Sequence, residues 1–130
     1  MPHDVVAGAL RRDGRLLLCR RSSQRQWFPG VWDLPGGHVE HGETSTSALA
    51  RELREEIGIE VNPPTRPADA LVHTNDVTLS IWLLDEWEGE PRNLQTEEHD
   101  AIGWFRQDQM APLSLAHTDY VSLIGRIVFT

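Results

Sequence analysis

Residues 37–59 read GHVEHGETSTSALARELREEIGI, and the second half of this stretch is a helix bounded at both ends. From Ser47 to Ile57 the chain runs through good helix formers without a proline or glycine until Gly58. Thr44 or Ser45 can cap the start, and Gly58 stands where a left-handed residue usually closes a helix. Leu49, Leu53 and Ile57 recur every fourth residue and make an apolar stripe for burial. Glu52, Glu55 and Glu56 are spaced i, i+3 and i+4, which crowds three carboxylates onto another face of the same two turns. Like charges at these spacings repel by about 0.2–0.5 kcal/mol per pair on an exposed helix. Either solvent screens them, as on an ordinary acidic face, or a cation binds them. Arg51 lies i, i+4 from Glu55 and can orient it by an ion pair, whereas Arg54 is expected in solvent.

The rest of the chain limits what such a helix can belong to. A length of 130 residues predicts one domain, 1–130, with a core large enough to need no disulfide. Its single cysteine, Cys19, cannot form an internal bridge, which suits a reducing, cytoplasmic setting; the residue reads as strand core. No leader-like or membrane-spanning run is expected. The net charge of −8 disfavours a nucleic-acid polymer as partner but not a small phosphorylated ligand, since a metal ion and local arginines can invert the sign at a site. A monomer or a homodimer is compatible with all of this.

Outward from the helix, Val5–Leu10 and Leu16–Cys19 flank Asp13-Gly14 and predict a hairpin. Arg20 and Arg21 follow. As neighbours on a strand they point to opposite faces, so one is expected to face a cleft unless both are a solvated strand end. Gln24–Gly30 reads as a loop with exposed aromatics, and Val31–Leu34 as a short strand. Pro35-Gly36-Gly37 then turns the chain, with glycines that allow close approach of backbone to other groups. His38 and His41 have no partner at ligand spacing and read as surface histidines. Beyond the helix, Ile59 and Val61 alternate like a short strand, and Ala70–His73 with Val77–Leu84 predict a second hairpin around Thr74-Asn75-Asp76. Trp82 and Trp87 are expected to pack, or else to line a cleft. A loop runs from Glu88 to about Asp100 and carries Glu97 and Glu98. Asp108–Met110 suggests a helical turn. Thr118 would cap a last helix striped by Tyr120, Leu123, Ile124 and Ile127. By pattern alone this is a mixture of α and β.

Gly37, five residues, Glu43, seven residues, then Arg51-Glu52-Leu53-Arg54-Glu55-Glu56-Ile57-Gly58-Ile59 resembles the Nudix box at every defining position. Leu34-Pro35-Gly36-Gly37 before it and Trp104-Phe105 after it are similar to family positions as well, so the likeness spans most of the chain. It implies an α/β/α sandwich with a mixed sheet and a loop–helix–loop catalytic motif. It also implies a divalent cation, Mg²⁺ with Mn²⁺ as an alternative, held by Glu52, Glu55, Glu56 and the Gly36 carbonyl. Hard cations favour such oxygen donors, and Mg²⁺ keeps room for phosphate oxygens. An acidic loop residue, Glu97 or Glu98, can complete the set, unless that loop is merely solvated. Arg20 or Arg21 can contact substrate phosphates. Arg51 and the three glutamates would form the catalytic group, with Glu52 as metal ligand or base, and Glu43 as support or as a water-mediated second-metal contact. The implied reaction is hydrolysis of a phosphoanhydride in a nucleoside diphosphate derivative, and a MutT-like cleavage of a nucleoside triphosphate to monophosphate and pyrophosphate leads. The chain lacks the extra N-terminal region of ADP-ribose pyrophosphatases, and Thr74 stands where many of those have proline. No tyrosine lies near 74–76, as diadenosine-polyphosphate hydrolases would have, and Leu17-Leu18-Cys19-Arg20 only partly echoes the coenzyme A subgroup. A nucleotide-sugar or ADP-ribose-type substrate is the alternative reaction. A sensor without catalysis is the alternative class, disfavoured because all four box carboxylates are in place.

Overall fold

The computed structural model describes residues 3–24, 29–74, 76–116 and 120–129. Asp13 and Gly14, both at positive φ (54° and 73°), make the two-residue turn that brings Arg12 opposite Arg15. This joins β1 (His3–Arg12) to β2 (Arg15–Arg21), both longer than the apolar runs alone suggest. Further strands are β3 (Trp32–Asp33), β4 (Gly36–His38), β5 (Ala70–His73), β6 (Val77–Leu84) and β7 (His99–Phe105). The helices are α1 (Ser45–Ile57), α2 (Gln107–Met110) and α3 (Tyr120–Ile127).

The sheet runs β3-β2-β1-β6-β5, with β4 paired to β1 and β7 to β2. It is mixed because β1 and β6 are parallel, in register from His3↔Val77 to Leu10↔Leu84, whereas β1 meets β2 and β4 antiparallel. Being buried on both faces, the middle of its central strands, residues 6–10 of β1 and 16–19 of β2, is apolar at nearly every position. Alternate positions of β1, β2 and β6 (Ala7, Ala9, Leu16, Leu79, Ile81) join Met110, Tyr120, Leu123 and Ile124 of the later helices in one core. Leu18 sides with them, while Val6, Leu10, Leu17, Cys19, Trp82 and Leu84 pack on Ala48, Leu49, Leu53 and Ile57 of α1 in a second core. One helix layer therefore lies on each face, and the expected α/β/α sandwich is formed. Gly8 sits beneath α1, where a Cβ would come within 3.1 Å of Leu53 and 3.2 Å of Leu84.

Several boundaries differ from the sequence reading. The helix begins at Ser45, with Thr44 as its cap and the Thr44 side chain accepting from the Ser47 N–H at 3.2 Å. Ile59 and Val61 form no strand; the isolated bridge Glu60↔Glu88 stands there, and Ile59 is core because it closes over the end of α1. The strand expected over Val31–Leu34 shortens to Trp32–Asp33. A strand not assigned from sequence, β7, follows the acidic loop and pairs along β2 from Leu16↔Phe105 to Arg21↔His99. Cys19 is buried, and burial first, then the charges of Glu56 and Asp33, push its thiol well above the ordinary range. Thr118, the middle of the 24–30 loop and Asn75 lie outside the described residues. Among the described residues no helix is long and apolar enough to cross a membrane.

Candidate active site

The site begins with a close backbone approach. β4 lies on β1 with Gly36 opposite Ala7 and Gly37 opposite Val6. A Cβ on Gly36 would fall 1.9 Å from the Val6 carbonyl oxygen, so no other residue fits there without moving the strands. A Cβ on Gly37 would sit 2.4 Å from Cδ of Glu52 and 2.5–2.6 Å from its two oxygens. The Glu52 carboxylate thus rests on bare backbone. One turn further along α1, Glu56 accepts the Gly36 N–H at 3.1 Å and is only 5% exposed. The two glycines let two glutamates of α1 press against β4.

Their environments differ from that of the third glutamate. Burial first, then the charge of Glu52, drives the Glu56 carboxyl well above the ordinary carboxylate range, against the opposing Gly36 hydrogen bond. Glu52, its side chain mostly buried, is raised mainly by burial, with Arg51 pulling the other way. The Glu55 side chain is 48% exposed. A solvated acidic face does not describe this helix, because one of its carboxylates is core. Glu98 adds its charge at both Glu52 and Glu56. Glu97 registers at neither of them.

Arg51 ties the group together. Its Nε and Nη2 grip both oxygens of Glu43 at 2.7 and 2.9 Å, and Nη2 also donates to the His38 carbonyl at 3.1 Å. Nη1 donates to Glu52 at 3.0 Å and to Glu55 at 3.1 Å, so the ion pair expected from i, i+4 spacing is formed. A guanidinium has five N–H donors, and these contacts employ all five. Glu40 adds a looser contact at 3.7 Å. Glu43 also accepts the Glu40 N–H at 2.9 Å. The hydrogen bond from Arg51, with help from that N–H, lowers the Glu43 carboxyl to about 2. Glu43 therefore clips the loop to the helix through Arg51.

Other candidate residues lie around this centre. Arg20 is half-exposed and pairs with Asp100 at 3.2 Å, while Arg21 is more buried and lies 3.9 Å from Asp33; a bulge separates them. Asp33, overlooked in the sequence, accepts from the Leu34 N–H and the Tyr120 hydroxyl, each at 2.8 Å, three residues before Gly36. A lone Asp in a short apolar run carries no pattern that would reveal this. His38 is exposed and meets His3 edge-on, and His41 is exposed as expected. Trp82 is buried, its indole N–H bonded to the Arg66 carbonyl at 3.0 Å. Trp87 stacks on Trp104 at 6.1 Å, with Arg12 over the other ring at 4.4 Å, so Trp82 serves packing while Trp87 both packs and lines an open surface cleft with Arg12 and Asp85.

Among the described residues no three His, Cys, Asp or Glu side chains are already gathered as a metal-binding group. Arg51 balances the charges of Glu52 and Glu55. The donors nonetheless fit a hard divalent cation: all are oxygens, and the paired glycines form a cradle that any side chain would fill.

The layered fold, presenting an acidic helix to a double-glycine strand, has the loop–helix–loop arrangement that the sequence resemblance implies. The chain belongs to the Nudix family: the NUDIX domain matches residues 1–124. It is 36% identical over 121 residues to the CTP pyrophosphohydrolase of Escherichia coli, covering 89% of this chain and 84% of that one. It is 33% identical over 122 residues to the nucleoside triphosphatase NudI of an Enterobacter species, covering 85% and 86%. The crystal structure of a MutT Nudix hydrolase from Burkholderia pseudomallei superposes with a TM-score of 0.82 at 33% identity, covering 95% and 96%. Nudix hydrolases generally need a divalent metal ion.

Proposed function

We propose that this Nudix hydrolase cleaves a nucleoside triphosphate to the monophosphate and pyrophosphate, using Mg²⁺ or Mn²⁺. The observation that carries the reading is the Glu52–Glu56 pair seated on Gly36 and Gly37, a concentration of negative charge that the fold brings out of water. Carboxylates are buried at such a cost only when a cation or proton compensates them. The similarity to enzymes named for CTP and for nucleoside triphosphates supports the substrate class. In this reading Glu52, Glu55, Glu56 and the Gly36 carbonyl hold the ion, and Glu98 is the loop residue that joins them.

When bound, a divalent ion neutralises phosphate oxygens and makes water more acidic. The protein's own residues supply the remainder. Arg51 orients Glu52 and Glu55 through its ion pairs, and Glu43 holds Arg51 in place. Water attacks phosphorus, its proton passes to a nearby carboxylate (Glu52 in one arrangement), and the bridging P–O bond breaks to release pyrophosphate. Arg21, beside Asp33 near the start of the glycine strand, and Arg20, at the same strand end, are the groups assigned to substrate phosphates. A single buried thiol and the absence of a long apolar helix among the described residues are in keeping with a cytoplasmic enzyme.

A panel of nucleoside triphosphates, nucleotide sugars and ADP-ribose, each with Mg²⁺, Mn²⁺ or chelator, tests this. We expect metal-dependent pyrophosphate and monophosphate from a triphosphate. Orthophosphate as the sole product, or turnover only on a diphosphate-linked sugar, would overturn it.

A further inference from the structure

The segment from Pro91 to Glu98 has neither helix nor strand, yet it is fastened along its length. The N–H groups of Arg92 and Leu94 donate to the Ile57 and Glu56 carbonyls at 2.9 Å each, satisfying the last turn of α1. At the other end Ser22 N–H donates to the Glu98 carbonyl at 2.8 Å, and the N–H groups of Glu98 and His99 both reach the Gln95 carbonyl at 2.9 Å. Across the neck of this loop, Asn93 Nδ2 donates to the His99 carbonyl at 2.8 Å. Asn93 Oδ1 is buried and has no hydrogen-bond partner among the described residues. A buried acceptor left unanswered is a standing cost to stability, and turning the amide over would set oxygen against oxygen. The donor is therefore what Asn93 contributes here.

We propose that Asn93 is a positioning residue, whose amide closes the 93–99 loop and so holds Glu98 against the Glu52–Glu56 pair. Asn93 sits between the two residues bonded to the end of α1, and its side chain grips the first residue of β7, immediately after Glu98. A bond in that place fixes the acidic loop residue to the same helix that bears its two partners. The inference rests on the reading of Glu98 as part of the metal-binding group.

The test combines backbone exchange and a double-mutant cycle. In metal-free Asn93→Ala, hydrogen exchange at the Glu98 and His99 amides is expected to quicken by roughly tenfold or more, with α1 amides unchanged. Turnover should fall roughly tenfold, the range for residues that orient metal ligands. More metal should be needed for half-maximal rate, and KM for nucleotide should stay within about twofold. Added to Glu98→Gln, the substitution should have no further effect. Unchanged exchange would overturn the tether, and full multiplicative losses with Glu98→Gln would overturn its action through Glu98. If Glu98→Gln alone keeps full activity, the reading of Glu98 fails and the proposal with it, whatever the exchange shows. Should Asn93→Ala not fold, Asn93→Leu removes the donor and the unanswered acceptor at nearly constant volume and carries the same comparison.

Discussion

Glu56 joins two roles that pull against each other: it belongs to the core by burial and, in the proposed reading, to the site by chemistry. Its folded-state carboxyl is raised above the ordinary range, so the native metal-free protein binds that proton more tightly than the unfolded chain does. By linkage, this group makes the metal-free fold less stable as pH rises above about 4.5 towards the folded value. Glu56→Gln keeps the Gly36 hydrogen bond and removes the titration. We expect the metal-free variant to melt higher than the parent at pH 7, on the order of 5 °C, with the gap closing near pH 4. Turnover should be lost by orders of magnitude. Melting curves of both proteins at the two pH values check the sign, and a lower melting temperature at pH 7 would reject it. Glu55 offers no such relief, because it is half-exposed and already paired with Arg51.

The glycine strand and α1 depend on each other, and the two glycines do so in different ways. At Gly37 the obstacle to a methyl group is the far end of the Glu52 side chain; at Gly36 it is backbone of β1. Gly37→Ala should therefore fold with nearly parental stability and lose activity by roughly a hundredfold, as Glu52 is displaced. Gly36→Ala should compromise the fold itself. Thermal melts set beside turnover separate the two, and parental activity in Gly37→Ala would mean that the position of Glu52 is immaterial.

Legibility also divides along these elements. Helix α1 was readable nearly to the residue, since its cap, stripe and left-handed end are local signals. Strand β7 was not, because Gly103 and a polar start leave no alternation, and its partner β2 is distant in sequence. The choice between Glu97 and Glu98 depends on that strand, so the sequence left both open. Asp33 and Asn93 escaped notice for the same reason: each acts through a single contact made only by the tertiary fold.

At the scale of the molecule, α3 is joined to the strand before the glycines by one buried hydroxyl. Tyr120 donates to Asp33 at 2.8 Å, and burial, with the Asp33 charge, keeps that phenol protonated. Tyr120→Phe retains the ring in the core and deletes the bond to a charged acceptor, a loss of about 1.5–3 kcal/mol. Denaturant titration should show the midpoint falling with the slope unchanged. A midpoint equal to the parent's would mean that the bond contributes nothing.

The parallel pairing of β1 with β6 has a bearing on synthesis. Residue 3 finds its partner at residue 77, so a chain still leaving the ribosome carries the glycine pair and the acidic helix with one side of β1 open. Not until β6 has emerged can the layers close, and the nascent polypeptide must keep that strand edge from other chains in the meantime.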